Sequence, residues 1–206
     1  FGYLALVPDG KSVFVTDPRY FEMAQGLIDE GVEVRQISNG SNAIEVLINL
    51  FNERSVKTIG FEDTEMTVAE YGNIKEQLAD FELEPVGTHI NFVRSFKSEQ
   101  EISYIKKAQS ITDKAFSAIL SYIKVGVSER DIAIELEYQM SKFGSGGIAF
   151  DTIVASGANA SKPHAHPSEK LIETGDAVVM DFGARYNGYC SDMTRTVFVG
   201  EPSEEL

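Results

Sequence analysis

The sequence is short of cysteine and of long apolar runs. It has 206 residues and a single cysteine, Cys190, so no disulfide can form within the chain, which favours a reducing compartment. No run of about 18 apolar residues is present, which argues against a transmembrane helix. No charged and apolar leader opens the chain at Phe1. We therefore expect a cytoplasmic protein without a membrane partner.

Positive charge is also scarce. The chain has 18 Lys and Arg against 32 Asp and Glu, a net charge of −14. Such a field repels nucleic acid and anionic lipid, and so argues against either as the main partner. The acidic balance fits a cytosolic protein or one that holds cations. The 43% hydrophobic content indicates an ordinary globular core.

The pattern of predicted elements changes near residue 94. Residues 1–93 alternate strand and helix, as an α/β layer domain does, and we read the lone His89 there as structural, within a strand-like stretch. Residues 94–206 begin with two helical patterns and continue mainly as strands. The chain starts inside a predicted strand and ends in what looks like the first turn of a helix. We therefore expect a fragment, cut at both ends.

The second part opens on a clear helix signal. Ser98 and Glu101 form the pattern of a capping box, and apolar residues follow at helical spacing. That predicted stripe is Ile102, Ile105, Ala108, Ile111, Ala115 and Ile119. Ser128 begins a second predicted helix, and a glycine-rich loop follows it.

Two aspartates flank a turn in "MDFGARYNGYCSDMTRT". A two-residue loop at Asn187-Gly188 predicts a hairpin in which Phe182 faces Met193 and Gly183 faces Asp192. Because side chains alternate with a period of two, Asp181 lies on the same face as Asp192, with Cβ atoms roughly 7–8 Å apart. Gly183 would leave the space between them free.

Two interpretations of this pair remain open on geometry. The carboxylates are solvated or paired with Arg185, or they hold a divalent metal ion. The flanking stretches "AVVM" and "TVFV" predict strands buried on both faces, and a buried carboxylate needs a cation. Cys190 has no ligand-spaced neighbour, and we read it as a small packing residue.

The loop "SKPHAHP" carries His164 and His166. Loop histidines are usually exposed and inert, yet flanking prolines fix the direction of this loop, and histidine is the usual proton shuttle near neutral pH. Spacing alone leaves both interpretations of His164 open.

The chain closely resembles the Xaa-Pro aminopeptidases and Xaa-Pro dipeptidases (prolidases), metallopeptidases with the pita-bread fold. The motifs that carry the resemblance are "SG.N...PH" and "GD.V..D.G....GY..D.TRT". Upstream, "VTDPRYFEMA" and "GFEDTEMTVAEY" resemble the creatinase/prolidase-type N-terminal domain. The resemblance implies such an α/β domain over 1–93, its start missing, and part of an α+β pita-bread catalytic domain over 94–206, its end missing.

The resemblance also implies a dinuclear metal site. Asp181 matches the first metal-ligand aspartate and Asp192 the second, which bridges two divalent ions, usually manganese, cobalt or zinc. A bridging hydroxide would attack the carbonyl of an Xaa-Pro bond, and His164 would contact the substrate or shuttle protons. His166 has no clear counterpart. The family implies a homodimer and proline-containing peptides as substrates.

Other proteins with this fold are alternatives. Non-catalytic relatives bind peptides or proteins and lose metal ligands, whereas Asp181, Asp192 and His164 are all present here. Creatinase is metal-free, so the two aspartates count against it, and methionine aminopeptidase usually lacks the N-terminal domain. We favour the peptidase; the choice between aminopeptidase and dipeptidase stays open.

The resemblance places three further metal ligands, a histidine and two glutamates, downstream of Leu206. We therefore predict that these 206 residues alone bind manganese weakly and hydrolyse no Xaa-Pro peptide. Isothermal titration with Mn²⁺ checks this, and tight stoichiometric binding would contradict it.

Overall fold

The computed structural model describes residues 2–7, 10–27, 31–38 and 42–201. The chain divides into two compact units, Phe1–Phe96 and Lys97–Leu206. In the part of the chain described, no helix combines the length and the apolar character needed to cross a membrane.

The first unit alternates strand and helix, as its sequence predicts. Its described elements are β1 Gly2–Ala5, β2 Ser12–Thr16, α1 Pro18–Leu27, β3 Val32–Gln36, α2 Ala43–Glu53, β4 Thr58–Phe61, α3 Val68–Gln77, β5 Glu82–Pro85 and α4 Gly87–Ser95. The sheet β1-β2-β3 pairs β1 with β2 antiparallel and β2 with β3 parallel, and β4 pairs with β5 in parallel. Helices α1 and α3 make the two parallel crossovers.

The strand-like interpretation of the stretch around His89 is wrong. Helix α4 runs through it, and His89 is exposed on that helix. The Asp63 carboxylate accepts a hydrogen bond from Gly87 N at 2.9 Å, which satisfies a backbone donor in the first turn. Because this partner lies 24 residues earlier in the chain, local sequence patterns give no sign of it.

The second unit packs two helices against a three-stranded sheet. Its described elements are α5 Glu99–Ile119, α6 Glu129–Lys142, β6 Ile153–Ser156, a 3-10 helix Gly157–Ser161, β7 Ala177–Phe182, β8 Arg185–Tyr186, β9 Tyr189–Cys190 and β10 Met193–Phe198. The sheet order is β10-β7-β6, all antiparallel, and β8 pairs with β9 beyond it.

Capping and periodicity explain the helices. The predicted capping box at Ser98 and Glu101 is present, and a second one joins Ser128 to Asp131 at the start of α6. The end of the predicted α5 stripe is buried, from Ala108 onward, whereas Ile102 at its start is 41% exposed. The core of this unit gathers residues of α5, α6 and the central strand β7; fully or nearly fully buried there are Ile111, Ile119, Ile132, Leu136, Met140, Val178, Met180 and Phe182.

The predicted register of the hairpin is confirmed. Tyr186 pairs with Tyr189 around the Asn187-Gly188 turn, and Phe182 pairs with Met193. Asn187 and Gly188 have φ values of 47° and 83°, the left-handed conformation that such a tight hairpin turn requires.

The prediction that both faces of these strands are buried is wrong for β10. This strand lies at the edge of the sheet, and its Thr194, Arg195 and Thr196 are exposed. Cys190 is exposed too, so it is not a packing residue. Apolar composition overstated burial because a β-branched edge strand needs cover on one face only.

The hairpin narrows at Gly183. A side chain there would overlap the Ser191 carbonyl oxygen and lie 3.0 Å from Ala149 Cβ and from Phe150 Cε1. The space that we expected to be free is therefore filled, and the glycine permits a close approach of two backbone segments. This narrow point, the neck of the hairpin, immediately precedes Asp192.

Replacing Gly183 with alanine should destabilise the second unit by about 1–3 kcal/mol, because the added methyl group meets backbone that cannot rotate away. Urea unfolding of the Gly183→Ala variant measures the loss. Gly146→Ala is a matched control, since its added Cβ would meet nothing nearer than Arg185 O at 3.6 Å. Equal stabilities of the two variants would contradict the account of the neck.

Candidate metal centre

Asp181 lies in the central strand β7, half-buried, directly across from Thr194. The Thr194 hydroxyl donates a hydrogen bond to Asp181 Oδ1 at 2.9 Å. Asp192 directly precedes β10 and is two residues before Thr194, so a backbone that stays extended there would place both aspartates toward the same face. The hydrogen bond engages one carboxylate oxygen, and no hydrogen bond from the described residues reaches the other, whose lone pairs can bind a ligand.

Asp192 is exposed, but the backbone beside it is fixed. The hydroxyl of the preceding residue, Ser191, is 2.5 Å from Thr112 Oγ1 in α5 and accepts a hydrogen bond from Ala184 N at 2.9 Å. Ser191 N also donates to Ala184 O at 2.9 Å. These buried hydrogen bonds hold the backbone at the neck. The backbone position of Asp192 is therefore fixed, while its carboxylate stays accessible.

The arrangement argues against an internal ion pair and leaves the two carboxylates either solvated or bound to a cation from outside. Over the described ranges, no salt bridge engages either aspartate. The Arg185 guanidinium lies beside Gly147 instead. Carboxylate oxygens are the ligands that hard divalent ions such as Mn²⁺ prefer, so the chemistry of the pair fits such an ion. No group of three or more ligating side chains occurs in the described part of the chain, so the pair is a partial ligand set.

The histidines lie apart from this pair. His164 and His166 are both exposed, in the loop that follows β6 and its 3-10 helix. That loop leaves the sheet at Ser156, which pairs with Val178, whereas Asp181 pairs with Ile153 at the other end of β6. Among the described residues, His164 therefore forms no ligand group with the two aspartates.

The tip of the hairpin is fastened to α5. The Tyr189 hydroxyl donates to Glu101 Oε1 at 2.5 Å, and the Tyr104 ring lies 5.8 Å from that of Tyr189 and 6.0 Å from that of Tyr186. The bond from Tyr189, with those from Ser98, lowers the pKa of the Glu101 carboxyl. Contacts to α5 therefore hold the hairpin at its tip as well as at its neck.

Sequence reasoning missed Glu129, the first residue of α6. Its side chain is fully buried and its carboxylate accepts hydrogen bonds from Ser156, Asn159 and Ser168. Burial alone would raise the pKa of this carboxyl, but the bonds from Ser168, Asn159 and Ser156 outweigh that effect and lower it. Its contribution to stability is therefore present above the ordinary glutamate range and is lost as the pH falls through the lowered pKa.

The sequence around Glu129 does not indicate that this residue is buried and bound to distant partners. Acidic residues are common in the first turn of a helix, where they face the positive end of the helix dipole, so a glutamate there already has an explanation. Only the long-range partners, 27 to 39 residues later in the chain, distinguish it.

Two family models match the chain. The model of metallopeptidase family M24 matches residues 103–206, and that of the creatinase/prolidase N-terminal domain matches residues 1–96. Together they confirm the predicted combination of an N-terminal domain of this type with part of a catalytic domain.

Individual relatives agree. The chain is 42% identical to the uncharacterized peptidase YqhT of Bacillus subtilis, covering 98% of this chain and 57% of that protein. It is 37% identical to an Xaa-Pro dipeptidase of Pyrococcus furiosus, covering 99% and 56%. The crystal structure of X-Pro aminopeptidase from Thermotoga maritima matches with a TM-score of 0.90 at 38% identity, covering 100% of this chain and 57% of that one.

The chain therefore spans little more than half the length of the relatives that it matches. The family match includes the neck of the hairpin, both aspartates and the loop that carries His164 and His166, since all lie within residues 103–206. On these matches, the chain belongs to metallopeptidase family M24 and carries a creatinase/prolidase N-terminal domain.

Proposed function

We propose that the full-length protein hydrolyses Xaa-Pro peptide bonds with the help of two divalent metal ions. The observation that carries the proposal is the hairpin register, which pairs Asp181 with Thr194 two residues after Asp192, with no salt bridge to either aspartate within the described residues. Membership of family M24 supports it.

Asp181 and Asp192 would hold the ions, Asp192 between the two. Thr194 orients the Asp181 carboxylate through its hydroxyl and so keeps one oxygen in place, as partners of metal ligands commonly do. Manganese, cobalt or zinc bound there would lower the pKa of the attacking water and polarise the peptide carbonyl.

His164 would contact the substrate or move a proton near the scissile bond. It is exposed on a loop flanked by proline, where it is accessible to a peptide. Histidine is the side chain that most commonly takes and gives protons in catalysis near neutral pH. His166, two residues on, is exposed as well, and we assign it no role.

Proline-containing peptides are the proposed substrates, and a homodimer is the proposed assembly. The names of relatives support the substrate class, since they include both an Xaa-Pro dipeptidase and an X-Pro aminopeptidase. The two activities differ in the length of peptide accepted. Comparing turnover of Ala-Pro with that of a longer Xaa-Pro peptide distinguishes them.

Replacing Asp192 with asparagine in the full-length gene product should reduce turnover to background. Asparagine keeps the shape of the side chain but loses the charge that a bridging ligand needs. The assay follows Mn²⁺-dependent hydrolysis of Ala-Pro and of a longer Xaa-Pro peptide, and metal analysis of the same samples should show a reduced content.

Asp80→Asn is the matched control, because Asp80 is exposed and belongs to the first unit. It should leave turnover and metal content unchanged. Parent-like activity of Asp192→Asn would contradict the role of this residue. A parent protein that binds Xaa-Pro peptides without hydrolysing them would indicate the non-catalytic alternative.

A further inference from the structure

Glu129 is a fully buried carboxylate that receives six hydrogen bonds. Four come from serines, since each of Ser156 and Ser168 donates both its backbone N–H and its hydroxyl, at 2.6 to 3.1 Å. The amide nitrogen of Asn159 reaches both carboxylate oxygens, at 3.1 and 3.3 Å. Every neighbour in this set is a donor, so the site is built for an ionised acceptor.

The two oxygens of Glu129 serve opposite ends of one segment. Oε1 accepts from Ser156, where β6 ends, and Oε2 accepts from Ser168, twelve residues later in the numbering. Asn159 lies within the segment and contacts both oxygens. Residues 156–168 are thus a loop whose two ends meet on a single carboxylate; we call it the histidine loop, because it carries His164 and His166.

Further hydrogen bonds join the two ends of the histidine loop. Lys170 Nζ donates to Ser156 Oγ at 3.0 Å and to Asp176 Oδ2 at 2.7 Å, which joins the far end of the loop to its beginning. At the N-terminus of α6, Glu129 N donates to Lys170 O and Arg130 N donates to Ser168 O. The loop therefore rests on the first turn of α6 through both backbone and side chain.

We propose that Glu129 is a positioning residue of the peptidase, which sets the place of His164 by fastening both ends of the histidine loop. The inference rests on the proposed function, because it takes His164 as the group that meets the substrate. Glu129 itself lies too deep to meet a peptide, since none of its surface is exposed. It acts through the loop.

A neutral side chain of the same shape could not do this. Glutamine at 129 would turn its NH₂ group toward either Ser156 or Ser168, and the backbone N–H of that serine, which can only donate, would lose its acceptor. One end of the loop would be released while the other stayed bound. Since a misplacement of about 1 Å can cost about 100-fold in rate, we expect kcat/KM to fall by up to about 100-fold.

The test uses Glu129→Gln in the full-length gene product, assayed on an Xaa-Pro dipeptide with Mn²⁺ at a temperature where the variant is fully folded. Amide hydrogen exchange on the same samples reports the loop directly. We expect faster exchange over residues 157–167, with exchange in β7 and β10 unchanged. Bound manganese should equal that of the parent, because Glu129 touches neither Asp181 nor Asp192.

Two controls separate positioning from stability. Glu169→Gln makes the same chemical change one residue after Ser168, but Glu169 is an exposed partner of Arg130, so turnover should stay at the parent level. Leu136→Val weakens the buried core on the same helix α6, and should lower the melting temperature while leaving turnover of the folded enzyme unchanged.

Loss of turnover together with faster loop exchange supports the proposal. Parent-like turnover, or unchanged exchange over the loop, overturns it. If Glu129→Gln does not fold, Ser168→Ala is judged in the same way; it removes the hydroxyl that donates to Glu129 Oε2 and accepts from Lys170 N. The parent protein is assayed first. If it hydrolyses no Xaa-Pro peptide, the proposed function is overturned, and the role of Glu129 is not what failed.

Discussion

The Glu129 carboxylate is removed completely from water, and the cost of that removal has to be met by hydrogen bonds from its surroundings. Serine hydroxyls, backbone amides and one asparagine amide supply them, from segments that are distant in the chain. An ionised acceptor surrounded only by donors admits few alternative arrangements, since any displacement leaves the charge unpaired. Hydrogen bonds to an ionised group therefore hold both ends of the loop that carries His164.

The aspartate pair is fixed by a different kind of contact but on the same scaffold. Helix α5 holds the hairpin through the Thr112–Ser191 hydroxyl pair and through Glu101 and Tyr104 at its tip. Helix α6 holds the histidine loop, and α5 packs against α6. The two groups that the proposed reaction needs thus take their positions from one pair of helices. Strand β7 is the third element that positions these groups, because it carries Asp181 and contacts the 3-10 helix of the loop.

The sequence predicted the local features of this site well. The Asn187-Gly188 turn has a backbone requirement that few residue pairs satisfy, so the turn and the register followed from it. A capping box located the start of α5 and Ser128 located that of α6 for the same reason, since cap and helix are neighbours in the chain. Features that depend on distant partners were missed or misread. The first turn of α4 is capped by Asp63, 24 residues earlier in the chain. The partners of the Glu129 carboxylate lie far downstream. Strand β10 is exposed because it lies at the edge of the sheet.

The neck at Gly183 lies between two parts of the hairpin. On one side are β7, which carries Asp181, and β10, which Asp192 directly precedes. On the other side the tyrosines pack β8 and β9 against α5, and Asn187 and Gly188 form the exposed turn. Tips of this kind are where chains tolerate added length. A short peptide tag or a fluorescent reporter can therefore be grafted at this turn, where it would lie outside the anchored segment and leave the aspartates in register.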